Sequence, residues 1–324
     1  MIISKTPLRI SFVGGGTDIS NYYKSKGGCV ISTAIDKYIY ITINKRFDDT
    51  IRASYSKTET VDDVNKINHD IIRETMKLTG ITKGVEITSI ADVPSLGTGL
   101  GSSSAFTIGL LNALYAFKGQ HSSAKQLAED ACKIEIDILK EPIGKQDQYI
   151  SAYGGFRHIK FNPDETVFVN NIICKKNIIN KLKNNLMMFY TGILRKANTI
   201  LSEQVNNLPK NRKIMDKMTE LVYEMKDGLI NNNIDSFGKI LHKGWIYKKQ
   251  LASVISNSKI NQYYNKALEN GATGGKILGA GGGGFLLLYC DRDKQDKVRS
   301  ALNNLNVFPF DFEQEGSKII YVSD

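Results

Sequence analysis

The chain has 324 residues, 41% hydrophobic and 23% charged, and its 43 Lys and Arg outnumber its 33 Asp and Glu for a formal net charge of +10. That length exceeds what one core usually holds and sets an expectation of about two domains, while the apolar share excludes a disordered chain. The positive balance favours anionic partners such as phosphorylated metabolites, and the basic residues form no long block of the kind that grips nucleic acid.

In chain order, the start MIISKTPLRISF carries Lys5 and Arg9 among apolar residues and no small-residue cleavage site, so it does not read as a signal peptide. LRISFV and YIYITINKRF read as strands around a glycine turn, GGGTD, and VEITSI (85–90) reads as a third. From Ser103, SSAFTIGLLNALYAF and then QLAEDACKIEIDILK keep helical spacing. The turn-rich EPIGKQDQY and a strand in AYGGFRHIKF follow. Past residue 185, LMMFYTGI reads as a buried strand, amphipathic helices run over 197–240, and a second glycine cluster, GATGGKILGAGGGGFLLLYC, ends in an apolar strand. The pattern change divides the chain into 1–185 and 186–324. The four cysteines, Cys29, Cys132, Cys174 and Cys290, form no CxxC pair and with four histidines give no zinc signature. No run approaches a membrane span, and a cytoplasmic protein with reduced thiols is expected.

The most informative stretch is PSLGTGLGSSSA (94–105), with Gly97, Gly99 and Gly101 on a period of two before three serines and a helix. Glycine lets the backbone approach a ligand closely, and a helix N-terminus adds free N–H donors and the positive end of its dipole. The Walker pattern fails because Ser102 stands where it requires lysine, and GxGxxG occurs only at Gly279, Gly281 and Gly284, ahead of a strand. A helix cap with a flexible turn would use the same residues.

These residues resemble the central motif of the GHMP small-molecule kinases, P-x-x-x-G-L-G-S-S-x-A. PLRISFVGGGTD (7–18) and KILGAGGGGF (276–285) resemble that family's other two motifs, in the family's order. Within the superfamily, the combination of GGGTD, GKQDQYISAYGG, FYTGILRKA and GGKILGAGGGGF is similar to kinases of D-glycero-D-manno-heptose 7-phosphate, which phosphorylate the anomeric hydroxyl. Galactokinase carries Glu-His where this chain has Gly15 and Gly16, and the two glycines would leave room beside a larger sugar.

The resemblance implies an α+β fold, with an N-terminal domain like domain 2 of ribosomal protein S5 and a ferredoxin-like C-terminal domain, the site lying between them. It implies ATP and Mg²⁺, and as partner a small phosphorylated sugar rather than nucleic acid or membrane, with a homodimer left open. Asp147 matches the aspartate beside the accepting hydroxyl, though it could also cap a helix starting near Gln148. Arg9 matches a basic residue that would pair with Asp147 and stabilise charge on the transferring phosphoryl group. Gly97, Gly99, Leu100, Gly101, Ser102, Ser103 and Ser104 would hold the nucleotide. Ser103 is the choice for the serine on Mg²⁺, with Ser102 and Ser104 as rivals. Glu135 is the candidate acidic ligand, its spacing about one residue off the mevalonate kinase pattern. Asp18 and Thr17, with Gly15, Gly16, Gly281 and Gly282, would meet the sugar, and Arg195, Lys196, Lys248 and Lys249 are candidates for its phosphate. Rival readings are a fucokinase-type enzyme, a non-catalytic sugar and ATP sensor, and an S5-like module that binds nucleic acid.

Overall fold

The protein is described by a computed structural model covering residues 1–94, 97–194 and 197–323. Its first sheet grows from two long strands rich in β-branched and aromatic residues, β1 (Ile2–Val13) and β2 (Gly28–Lys45), paired antiparallel from Ile2↔Ile43 to Val13↔Ile31. β2 is long enough to serve two further neighbours. Its first part pairs with β6 (Phe156–Phe161) and its second with β5 (Val85–Ala91). β3 (Ile51–Ser54) lies parallel to β5 and carries β4 (Thr58–Val61), while β7 (Val167–Asn171) flanks β6.

The second sheet is antiparallel, in the order β11 (Asn306–Val307), β8 (Leu186–Tyr190), β10 (Phe285–Cys290), β9 (Ala272–Ile277). Every residue of β10 is buried, as its unbroken apolar run FLLLYC requires. Helices Phe237–Lys249 and Ser258–Glu269 pack on β9.

The chain then returns to the first sheet. β12 (Phe312–Glu313) pairs with β2, and β13 (Lys318–Val322) with β1 at Ile2↔Val322. The strands β12 and β13 therefore sit with the N-terminal sheet and not with the second one. No helix among the described residues is long and apolar enough to cross a membrane.

Helix Ser102–Phe117 is the axle of the first half. It is buried continuously from Ser104 to Leu114, enclosed by β1, β2 and helices Asp70–Thr79, Ala124–Cys132 and Gln146–Tyr153, as expected of a helix apolar on all sides. Gly109 lets it lie close to β1, since a Cβ there would stand 2.8 Å from Thr6 Oγ1. Its N-terminus is thus fixed by packing before any ligand arrives.

QLAEDACKIEIDILK is helical as its spacing predicts but changes type, α over Ala124–Cys132 and π over Lys133–Ile138. One local reading is corrected by the structure. The turn-rich 141–149 contains the start of a helix at Gln146, so Asp147 lies in the first turn and Lys145 is the cap.

Candidate active site

A cleft of about 850 Å³ opens where the first glycine loop meets the C-terminal half. Gly97, Gly99 and Gly101 all take positive φ, 73°, 76° and 75°, which residues with a Cβ resist. Gly101 ends the loop as the left-handed cap of helix Ser102–Phe117. The first i→i−4 bond runs from Ala105 N to Gly101 O, at 2.9 Å, so the N–H groups of Ser102, Ser103 and Ser104 precede the helical ladder. Together with the dipole of a 16-residue helix they form an anion cradle on the cleft wall. Leu100, in contrast, is fully buried, and its carbonyl accepts the Arg9 N–H at 3.0 Å.

That backbone bond registers β1 against the loop, and the Arg9 side chain repeats the link. Its Nη1 donates to Gly99 O at 2.6 Å, while Nε and Nη2 donate to Asp147 Oδ1 and Oδ2 at 2.7 and 2.5 Å. The guanidinium is 3% exposed and the carboxylate 23%, so the cation is locked and the anion faces the cleft. A planar fork on a carboxylate fixes orientation as well as charge, which lysine would not do.

Behind the serines, Glu135 is buried on the π turn. Its Oε1 accepts from Thr107 Oγ1 at 2.9 Å and Ser103 Oγ at 3.3 Å, and its Oε2 from Ser104 Oγ at 2.8 Å and from Gln148 Nε2. Burial, with the Asp147 charge acting in the same direction, pushes its carboxyl up to about 7 against the lowering effect of the bonds from Ser104, Gln148 and Thr107. A π turn holds one residue more than an α turn, the size of the offset noted in the spacing of Glu135. The site can be tested for magnesium on its donors. Mg²⁺ takes hard oxygen ligands, one or two carboxylates beside phosphate and water. Glu135 lines the cleft with no cationic partner among the described residues, and Ser103 and Ser104 place hydroxyls beside it, so the three offer the hard oxygen donors that the ion takes. Ser102 has no such bond to Glu135 among those described. The residues fit the ion.

Asp18 lies on the other side of Asp147, 2% exposed and on the cleft wall. Its Oδ1 accepts from Gly16 N at 2.9 Å and its Oδ2 from Gln146 N at 3.1 Å. Burial raises its pKa, backbone bonds from Gln146 and Gly16 oppose the rise, and the Asp147 charge adds to it. Gly144 is required here, because a Cβ would fall 1.9 Å from Asp18 Oδ2.

Several sequence candidates take other places. The Thr17 hydroxyl donates to Gly14 O and Cys29 O at 2.8 and 2.9 Å and accepts from Cys29 N, tying the GGGTD turn to β2 away from the cleft. Gly16 lines the cleft, and Gly15 does not. In the second glycine cluster, Gly279 and Ala280 face the cavity, while Gly281 and Gly282 press on Ile255, with Gly282 N donating to Ile255 O at 2.7 Å. Lys248 lines the cleft, its Nζ donating to Gly279 O at 2.5 Å, whereas Lys249 lies by the Trp245 ring. Arg195 and Lys196 fall outside the described residues.

Sequence reasoning passed over Gln146, Gln148, Gln204 and Lys276. Gln146 and Gln148 flank Asp147, so the signal was adjacency to the motif. Lys276 stands in the third motif, buried, donating to Ser11 O and Phe12 O at 2.8 and 3.0 Å, and so joins the second sheet to β1 beyond Arg9. Burial holds its amine well below the ordinary lysine range, helped by Lys248 and Arg9.

Residues 65–155 match the family profile of the GHMP kinases N terminal domain, and residues 225–307 that of the GHMP kinases C terminal. The chain is 31% identical to a D-glycero-alpha-D-manno-heptose 7-phosphate kinase of Campylobacter jejuni, across 98% of both chains. It is 27% identical to a galactokinase of Pyrococcus furiosus over 93% of this chain and 92% of that protein. Among solved structures, a D-glycero-D-manno-heptose 1-phosphate kinase from Bacteriodes thetaiotaomicron superposes with a TM-score of 0.83 at 25% identity, covering 100% of both chains.

Proposed function

The chain belongs to the GHMP kinases and is a sugar kinase, and from that premise we propose that it transfers the γ-phosphoryl group of ATP to the anomeric hydroxyl of D-glycero-D-manno-heptose 7-phosphate, giving the 1,7-bisphosphate. The observation that carries the reading is that the phosphate cradle, the Arg9–Asp147 pair and Asp18 all open onto one cavity. The near full-length likeness to the Campylobacter jejuni enzyme supports the choice of sugar.

In this reading the N–H groups at Ser102–Ser104 and the helix dipole bind the polyphosphate, with Gly97 and Gly99 bringing the backbone close. Asp147 accepts the proton of the anomeric hydroxyl, or orients it, as the hydroxyl oxygen bonds to the γ-phosphorus and the bond to the β–γ bridging oxygen breaks. Arg9 keeps that carboxylate in one orientation and places fixed positive charge beside the transferred group. Asp18 accepts hydrogen bonds from sugar hydroxyls, and Lys248 is the basic side chain offered to the second phosphate. Magnesium, held by Ser103 and Glu135 with Ser104 beside them, supplies charge neutralisation on the phosphates when bound.

The test is a panel of acceptors with Mg²⁺-ATP: heptose 7-phosphate, galactose, fucose and mannose 6-phosphate, ranked by kcat/KM with the product identified by mass. A bisphosphate formed from the heptose in preference to the others supports the assignment. Preference for an unphosphorylated sugar sinks it.

A further inference from the structure

The cleft wall holds amide atoms that nothing among the described residues satisfies. Gln204, 2% exposed, has no hydrogen-bond partner among them on either Nε2 or Oε1, and Gln146 has none on Oε1. Both side chains line the cavity, with Gly16 and Asp18. Leaving a buried amide unpaired costs its desolvation with no return, so native proteins rarely keep one unless ordered water or a ligand completes it, and on a cleft wall a ligand can displace the water.

Their placement is specific. A Cβ on Gly16 would stand 2.5 Å from Gln204 Nε2, and one on Gly15 would stand 3.4 Å from Gln146 Nε2. At Gly16 the Gln204 amide takes the room that a side chain would need, whereas at Gly15 a Cβ would meet the Gln146 amide only at ordinary contact distance. Gln204 comes from helix Ala197–Asn206 and Gln146 from the first turn of helix Gln146–Tyr153, so the two halves of the chain each contribute one. Asp18 joins them, because its Oδ2 already holds the Gln146 N–H and its Oδ1 the Gly16 N–H.

An amide offers a donor and an acceptor with no net charge, which matches a hydroxyl, itself donor and acceptor, better than it matches a phosphate. We propose that Gln204 and Gln146 are specificity-determining residues that read hydroxyls of the acceptor sugar not taken by Asp18. The inference rests on the chain being a sugar kinase but not on the identity of the sugar. A pocket built to hydrogen-bond a hydroxyl discriminates strongly against an analogue without it, since its own polar groups are then left unpaired.

The experiment compares wild type with Gln204→Leu and Gln204→Asn, and with Gln146→Leu, on whichever sugar of the panel wild type turns over, or by calorimetric titration of a sugar that binds without turnover. Loss of the amide is expected to lower kcat/KM or affinity for the sugar roughly 10- to 100-fold, with KM for ATP changed less than about twofold. Thermal unfolding of the ligand-free Leu variants should hold or rise, because an unsatisfied amide has been removed; a merely structural glutamine would lower it. Deoxy analogues of the sugar sharpen the reading: removing the contacted hydroxyl should penalise wild type and leave the Leu variant indifferent. Sugar kinetics unchanged in both Gln204 variants would overturn the proposal, whichever sugar is used. If heptose 7-phosphate is refused while another sugar is accepted and these losses appear, the choice of substrate has failed and the amide assignment stands.

Discussion

A Cβ added at Gly101 would meet a flexible side chain and a carboxylate, Arg9 Cγ at 3.1 Å and Asp147 Oδ2 at 3.3 Å, whereas one added at Gly284 would meet backbone, Gly97 O and Thr98 O, both at 2.5 Å. Both glycines have positive φ, 75° and 81°. The first cluster is bare because a ligand and the Arg9–Asp147 pair need the space in front of it. The second is bare largely because backbone presses on it: Gly284 lies on residues 97–98, Gly283 on Ile193 O and Gly281 on Ile255 O. Two loops of similar composition thus divide the work, the first forming the cradle and the second reaching the cleft only at Gly279 and Ala280 while its Gly281, Gly283 and Gly284 pack against backbone behind it.

The division orders the expected effects of mutation. Asp147→Ala, on the cleft side, should lower kcat by roughly a thousandfold and also cost about 3 kcal/mol in stability by stranding the buried Arg9 guanidinium, read from steady-state kinetics and urea unfolding. Gly284→Ala, on the support side, should cost about 3 kcal/mol in stability, because a positive-φ penalty adds to a backbone clash that cannot relax cheaply. Gly101→Ala should cost only about 1 kcal/mol in unfolding, yet lower kcat about tenfold or more by displacing the pair. If the two glycine variants lose stability equally, the comparison fails.

Proton linkage gives the next effect. Glu135 is lifted by burial from an ordinary 4.5 to about 7, so the native state binds this proton more tightly than the unfolded chain does. The associated stability is present in full below the unfolded value and is lost as pH rises through about 7, a difference of about 3 kcal/mol. Urea unfolding in EDTA at about pH 5 and pH 8 should show this slope, Glu135→Gln should flatten it, and Mg²⁺-ATP should reduce the loss at the higher pH. The smallest expected effect is that of Ser103→Ala, roughly a tenfold weakening of Mg²⁺-ATP binding, measured by calorimetric titration.

Much of the floor of the site was legible because it is local: three glycines on a period of two, then serines opening an apolar helix, announce an anion cradle before any folding is considered. Arg9 and Asp147 were legible only through the family motifs, since their contact spans 138 residues. What stayed hidden depends on long-range placement. Lys276 reaches carbonyls 264 and 265 residues away, and Gln204 is an ordinary amide in an amphipathic helix until the fold sets it against Gly16. Thr17, Leu100, Gly281 and Gly282 sit inside motifs yet point away from the cleft, because a motif that shapes a loop also needs residues that anchor it. The return of β12 and β13 to the first sheet left no signal in composition, as short strands are specified by the edge they join.

Phosphorus NMR of a reaction containing Mg²⁺-ATP and heptose 7-phosphate, run with wild type and with Asp147→Asn, tests the central claim most directly. The account predicts a new anomeric phosphate resonance growing in step with ADP for wild type, and near silence for the variant despite intact nucleotide binding. Equal rates in both, or ADP without a sugar phosphate, would contradict it.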